Sequence, residues 1–182
     1  MIQEQTICIK CGFCCDGTLF QHAHLDPGER GHLPEKIDQN SFTEEEKDFF
    51  MLPCGYFSEK CTIYDRQRAN VCASYRCQLL KDFAEGKVEL SDALQIVSEA
   101  MEMRAELFEQ YKRISGDSRK LYFRQLLQEL GKLQKAASEI EPLSMDYDIL
   151  LARCNIFEAL LIKHIRSAGD FESFMSGPPE GE

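Results

Sequence analysis

The sequence predicts a mostly α protein: an irregular, Cys-rich metal-binding N-terminal part, then a C-terminal antiparallel helical hairpin or three-helix bundle. Three observations carry this. Eight of the nine Cys fall within the first 77 residues. Beyond residue 80, apolar residues recur at helical spacing as far as residue 168, with one Pro and few Gly. The composition, 43% hydrophobic and 29% charged over 182 residues, is that of a chain with a core. Together they divide the chain into residues 1–80, a helical bundle over 81–168 and a flexible tail over 169–182 that ends Gly177-Pro178-Pro179-Glu180-Gly181-Glu182.

In the first part, Thr18 to Leu25 reads as a short strand closed by Asp26-Pro27-Gly28. Thr43 to Glu46 reads as a helix start, with Thr43 as N-cap and Glu46 as its capping-box partner; that helix stops near Pro53. A second short helix covers Cys77 to Ala84 and ends at Gly86.

Three long helices follow. The first runs from Ser91-Asp92 to about Ile114, with Leu90, Leu94, Val97, Met101, Ala105, Phe108 and Tyr111 at helical spacing. Ser115-Gly116-Asp117 breaks it, and Asp117 caps the next. The second runs from about Ser118 to Ile140, with Phe123, Leu127, Leu130, Leu133 and Ala137 on one face, and Pro142 ends it. The third runs from about Met145 to Ala168, with Leu150, Cys154, Phe157, Leu161, Ile165 and Ala168 as its stripe. Links this short make sequential helices antiparallel neighbours.

Charge narrows the partners. Lys plus Arg number 21 and Asp plus Glu 31, a formal net charge of −10, so nothing global attracts nucleic acid or anionic lipid. A local basic stretch, with Lys112, Arg113, Arg119, Lys120, Arg124, Lys132 and Lys135, has no interleaved aromatic platform and reads as a solvated helix face. No apolar run reaches the length of a bilayer span. The first six residues have neither a basic nor an apolar leader pattern, so a cytoplasmic location is expected. The expected partner is a protein docking through the helical part, not nucleic acid or membrane; the oligomeric state is left open.

The chemistry lies in the cysteines. Cys8, Cys11, Cys14 and Cys15 are followed by Pro53-Cys54, Cys61, Cys72 and Cys77. In an exported chain eight Cys would read as four disulfides; in a reducing cytosol clustered thiols read as metal ligands. The i, i+3, i+6 spacing of Cys8, Cys11 and Cys14 curls three sulfurs toward one point, and disulfides rarely close loops so tight. Adjacent side chains diverge, so Cys14 and Cys15 favour two centres over one.

These residues resemble the YkgJ-type cysteine-cluster family, described as zinc- or iron-chelating proteins. The resemblance spans residues 8–80 and rests on all eight cysteines together with Ile63-Tyr64-Asp65, Arg68 and Ser74-Tyr75-Arg76-Cys77. Two departures fall in the loop between Cys61 and Cys72: Ala69 stands where the family motif has Pro, and one extra residue separates Tyr64 from Arg68. The resemblance implies a metal more readily than an activity. A flagellin lysine methylase family carries a somewhat similar array, which leaves enzymatic activity open.

Eight thiolates make two four-ligand zinc sites, so two zinc ions are the expected cofactor. Iron, or a 4Fe–4S cluster, is the alternative, because Cys-x2-Cys-x2-Cys with a remote fourth Cys is a ferredoxin ligand pattern. Four thiolates on one dication leave a charge of about −2, which needs donors nearby. Arg68 and Arg76, interleaved with the later ligands, are the expected donors. His22 and His24 would share one face of a strand and read as a half-exposed face, not ligands. Cys154, on an apolar stripe, reads as buried and inert.

Three functions are consistent with this array. The first is a metal-stabilised module acting in protein interaction, since closed coordination spheres leave no open position for a substrate. The second is an iron–sulfur redox protein or enzyme. The third is a metal carrier or storage protein.

Overall fold

The computed structural model describes residues 3–140 and 144–166. The expected tail over 169–182, Pro142 and Ala168 lie outside the described residues, as does the side chain of Ala137. The chain divides into two compact units, Met1–Arg76 and Cys77–Glu182. Cys77 therefore opens the second unit. Roughly half of the chain is helical, and the long helices all belong to the second unit.

The first unit mixes short elements: α1 (Gln3–Cys11), β1 (His22–His24), α2 (Glu35–Asp38), β2 (Ser41–Glu44), β3 (Lys47–Met51), β4 (Phe57–Ser58), β5 (Lys60–Cys61) and α3 (Asn70–Ser74). α1 stops at Gly12, whose φ of +66° turns the chain and whose N–H donates to the Cys8 carbonyl at 3.1 Å. Only Gly fits there: a Cβ would lie 2.6 Å from Cε2 of Phe57.

β1, β3 and β2 form an antiparallel sheet in that order. Ala23 pairs with Phe50, and Phe50 is buried in a core with Leu25, Ile37, Ile63 and Ala69. The helix expected from Thr43 toward Pro53 does not form; β2 and β3 make a hairpin instead. Its two-residue turn, Glu45 and Glu46, has φ of 48° and 63°, the left-handed pair such a hairpin needs. Thr43 bonds across the hairpin to Asp48 Oδ1 at 2.6 Å, so it caps no helix. Phe42, Phe49 and Phe50 are strand-forming residues, and pairing with β1 outweighs the local helix signal.

The second unit holds α4 (Gln78–Ala84), α5 (Leu90–Ser115), α6 (Phe123–Ile140) and α7 (Met145–His164). α5 ends at Gly116, at φ +69°, with its N–H on the Lys112 carbonyl. Its buried line is Ala93, Val97, Ala100, Leu107 and Tyr111; of the expected stripe, Ala105 is exposed. α6 begins at Phe123, later than Ser118. Asp117 uses its carboxylate on the Arg119 N–H, closing a turn, while Gln125 Oε1 accepts the Tyr122 N–H at the start of the helix. α7 buries Leu150, Cys154, Phe157 and Leu161, and Ile165 follows them into the core.

α5 and α7 pack closely. Arg153 on α7 donates to Gln110 at 2.6 Å and also pairs with Glu106, and the charge of Glu99 acts on His164. Numbers rise along α5 as they fall along α7, so the two are antiparallel. α6 meets α7 through Phe123 against Phe157, edge-on at 4.8 Å, and through Arg124 with Glu158 at 2.8 Å. The contacts on α5 thus establish an antiparallel pair with α7, an element that does not follow it directly in sequence. The link over 116–122 is long enough to carry the chain back before α6 begins. Among the described residues no helix is long and apolar enough to cross a membrane.

Two variants test this arrangement. Glu45→Asn with Glu46→Gly should stabilise the first unit by about 0.5–1 kcal/mol, because both positions are left-handed. Phe157→Ala should cost the helical unit about 3–5 kcal/mol. Urea midpoints measure both.

Candidate metal centre

Each array cysteine is delivered by a short element or a tight turn. Cys8 and Cys11 lie on α1, and Cys14 and Cys15 in the turn after Gly12. Cys15 and Asp16 both donate their N–H to the Gly12 carbonyl, at 2.8 and 3.0 Å. Buried Asp16 then accepts the Thr18 N–H at 2.9 Å, fixing the exit of the turn. The Cys54 N–H donates to the Cys15 carbonyl at 2.8 Å, which holds these two residues together across 39 positions of sequence. Cys61 lies on β5, opposite Phe57 of β4. Cys72 lies on α3, whose first residue, Asn70, donates its N–H to Glu29 at 2.8 Å and its side-chain amide to Asp26 at 2.9 Å. Cys54, Cys61 and Cys72 pack on the core of Leu25, Ile37, Phe50, Ile63 and Ala69. Ala69 is fully buried with a φ of −58°, a value proline would also adopt.

Among the described residues the cysteines form no disulfide. Burial pushes the Cys15 thiol far up, and the charges of Cys61, Cys72, Cys54 and Cys8 push it further. Burial, then Cys54 and Cys61, push Cys72 up to about 11, with Arg68 acting against them. Burial raises Cys54 as well, Cys61 adds to it, and the Tyr56 N–H and Lys36 oppose it. All six pairs among Cys15, Cys54, Cys61 and Cys72 therefore act on each other. Among the described residues, no three or more His, Cys, Asp or Glu side chains are drawn into the geometry of a metal site. The four thiols stand within electrostatic reach without being closed on one point. Ionising all four would build mutual repulsion in a half-buried place, and a dication is the charge that offsets it. In kind and number the donors suit zinc.

The other array residues are placed differently. Cys8 reaches Cys15 and Tyr64. Cys11 and Cys14 are half-buried. Cys77 stands at the N-cap of α4; burial raises its thiol, and the backbone N–H groups of Leu80 and Leu79 oppose that rise. Arg68 stacks on the Tyr64 ring at 4.2 Å, and its charge reaches Cys72. Arg76 is exposed and pairs with Glu4 at 3.2 Å; its charge acts on Tyr64. Spacing gave no sign of Lys36, which α2 brings to Cys54 and which also lies over the Tyr56 ring at 5.3 Å. The one trace in sequence is Gly55, where a Cβ would lie 2.9 Å from Cβ of Lys36.

His22 and His24 share the outer face of the sheet, edge-on to Phe49 at 4.9 and 5.4 Å. Cys154 is fully buried in the helical unit, and burial pushes its thiol up to about 12. The basic stretch spends charge internally: Arg119 pairs with Asp117, Lys132 with Glu129 and Arg124 with Glu158. No family model, curated protein or solved structure matches the chain.

The thiol shifts set a pH dependence. In the metal-free, reduced chain Cys15, Cys54 and Cys72 ionise at a higher pH when folded than the unfolded value of about 8.5. Their contribution to stability is full below that value and is lost as pH rises toward the folded one. The urea midpoint of the metal-free chain should fall above about pH 8.5, and Cys72→Ala should flatten the fall. A midpoint constant to about pH 10.5 contradicts this.

Proposed function

We propose that this chain is a metal-binding cysteine-cluster protein whose first unit is stabilised by zinc on Cys15, Cys54, Cys61 and Cys72, and whose helical unit serves protein interaction. The observation that carries the reading is the mutual electrostatic reach of these four thiols, which come from four separate segments of the chain. A four-thiolate zinc centre is closed and structural, and its binding free energy is folding free energy. Lys36 and Arg68 lie where they oppose the excess negative charge. The resemblance of residues 8–80 to the YkgJ-type family supports a metal at this array, and Cys8, Cys11 and Cys14 supply further thiols within the first unit.

Metal analysis with an absorption spectrum on anaerobically purified protein tests the reading. About two zinc per chain and no visible absorbance are expected. Cys15→Ser and Cys72→Ser should each lose about one zinc and lower the melting temperature, while Cys154→Ser should leave the zinc content unchanged. A brown protein with iron and acid-labile sulfide would overturn it in favour of a cluster-dependent redox protein or enzyme. A full cooperative melt that survives zinc removal, with fast exchange to a chelator, would assign a carrier or storage role instead.

A further inference from the structure

α7 is apolar on two opposite faces. One face, with Leu150, Cys154, Phe157 and Leu161, is buried within its own unit. The other carries Met145, Ile149, Ala152 and Ile156, spaced i, i+4, i+7 and i+11, which is one straight stripe along a helix. At about 100° per residue this stripe points away from the buried face. Met145 is 71% exposed, Ile156 56% and Ile149 46%, and these are three of the five large apolar side chains most open to solvent among the described residues. A helix that is apolar on both sides is covered on both sides.

The charges of α7 say what covers it. Its first turn carries Asp146 and Asp148 and its last turn Lys163 and His164. A parallel copy would set acid beside acid and base beside base. An antiparallel copy sets each acidic end beside a basic end and opposes the two helix dipoles. Centred near Ala152, that pairing lays Ile149 against Ile156 of the other copy and Met145 against its Leu160. The small Ala152 lets the axes approach at the centre. The stripe is thereby complementary to itself under a two-fold axis.

We propose that the exposed face of α7 is the contact of a homodimer, formed with a second copy of this chain in antiparallel register. The inference rests on the reading of the helical unit as the interaction part and names its partner; it needs nothing of the metal. A single helix pair lies below the roughly 1,200 Å² at the lower edge of stable interfaces, so the dimer is expected in the micromolar range. Sedimentation velocity on the full, reduced chain as purified, between about 5 and 500 µM, should show a concentration-dependent monomer–dimer equilibrium. Ile149→Asp with Ile156→Asp should weaken it at least about tenfold. Should that variant lose its helical circular dichroism, the charge variants decide: Asp146→Lys with Asp148→Lys weakens the dimer, and adding Lys163→Glu restores it. A monomer at every concentration assigns the face to another occupant, residues 167–182 or a different protein, and overturns the proposal. A dimer indifferent to both sets of substitutions overturns it as well. Zinc content measured on the same samples keeps a failure of the metal reading separate from a failure of this one.

Discussion

Cys15, Cys54, Cys61 and Cys72 lie within electrostatic reach of one another in a half-buried patch, and a cation is the charge that would offset their mutual repulsion. The secondary structure of the first unit is slight: a three-stranded sheet, a two-stranded ribbon and helices of four to nine residues. Elements so short gain little from their own hydrogen bonds, and the core of Leu25, Ile37, Phe50, Ile63 and Ala69 is small. A dication tying Cys15, Cys54, Cys61 and Cys72 would link four segments at the patch where they already converge. The backbone prepares for it: the Cys54 N–H rests on the Cys15 carbonyl, and Glu29 and Asp26 hold the start of the helix that carries Cys72.

The helical unit is built on the opposite plan. Phe123, Leu126, Leu130, Leu150, Phe157 and Leu161 are all buried, and Cys154 takes part only as a small apolar side chain. Charged side chains also join its helices, as with Arg153 on Glu106 and Gln110 and Arg124 on Glu158. A core of this kind stands without metal. The surplus apolar stripe of α7 therefore reads as a surface for contact rather than as a defect of packing.

Much of this was legible in the sequence, for reasons that can be named. The buried stripe of α7 follows directly from its 3.6-residue period, and Gly86 and Gly116 marked where α4 and α5 stop. The β2–β3 hairpin was not legible, because its left-handed turn is filled by two Glu where Asn-Gly would have signalled it, and because Thr43 and Glu46 imitate a capping box. The pairing of α5 with α7 was hidden for another reason: link length suggests neighbours, but which apolar faces meet is settled by packing. At the cysteines, spacing identified the residues, whereas their grouping came only with the fold. Cys15 separates from Cys14 because the turn after Gly12 sends it toward Cys54, and Lys36 arrives from a helix with no motif at all.

The central claim is that Cys15, Cys54, Cys61 and Cys72 hold one zinc between them. X-ray absorption at the zinc edge, on a Cys8→Ser, Cys11→Ser, Cys14→Ser and Cys77→Ser variant of the full chain, tests it most directly. About one zinc per chain is expected, ringed by four sulfurs at about 2.3 Å. A zinc with nitrogen or oxygen ligands, or a variant that holds no zinc while remaining folded, would contradict it.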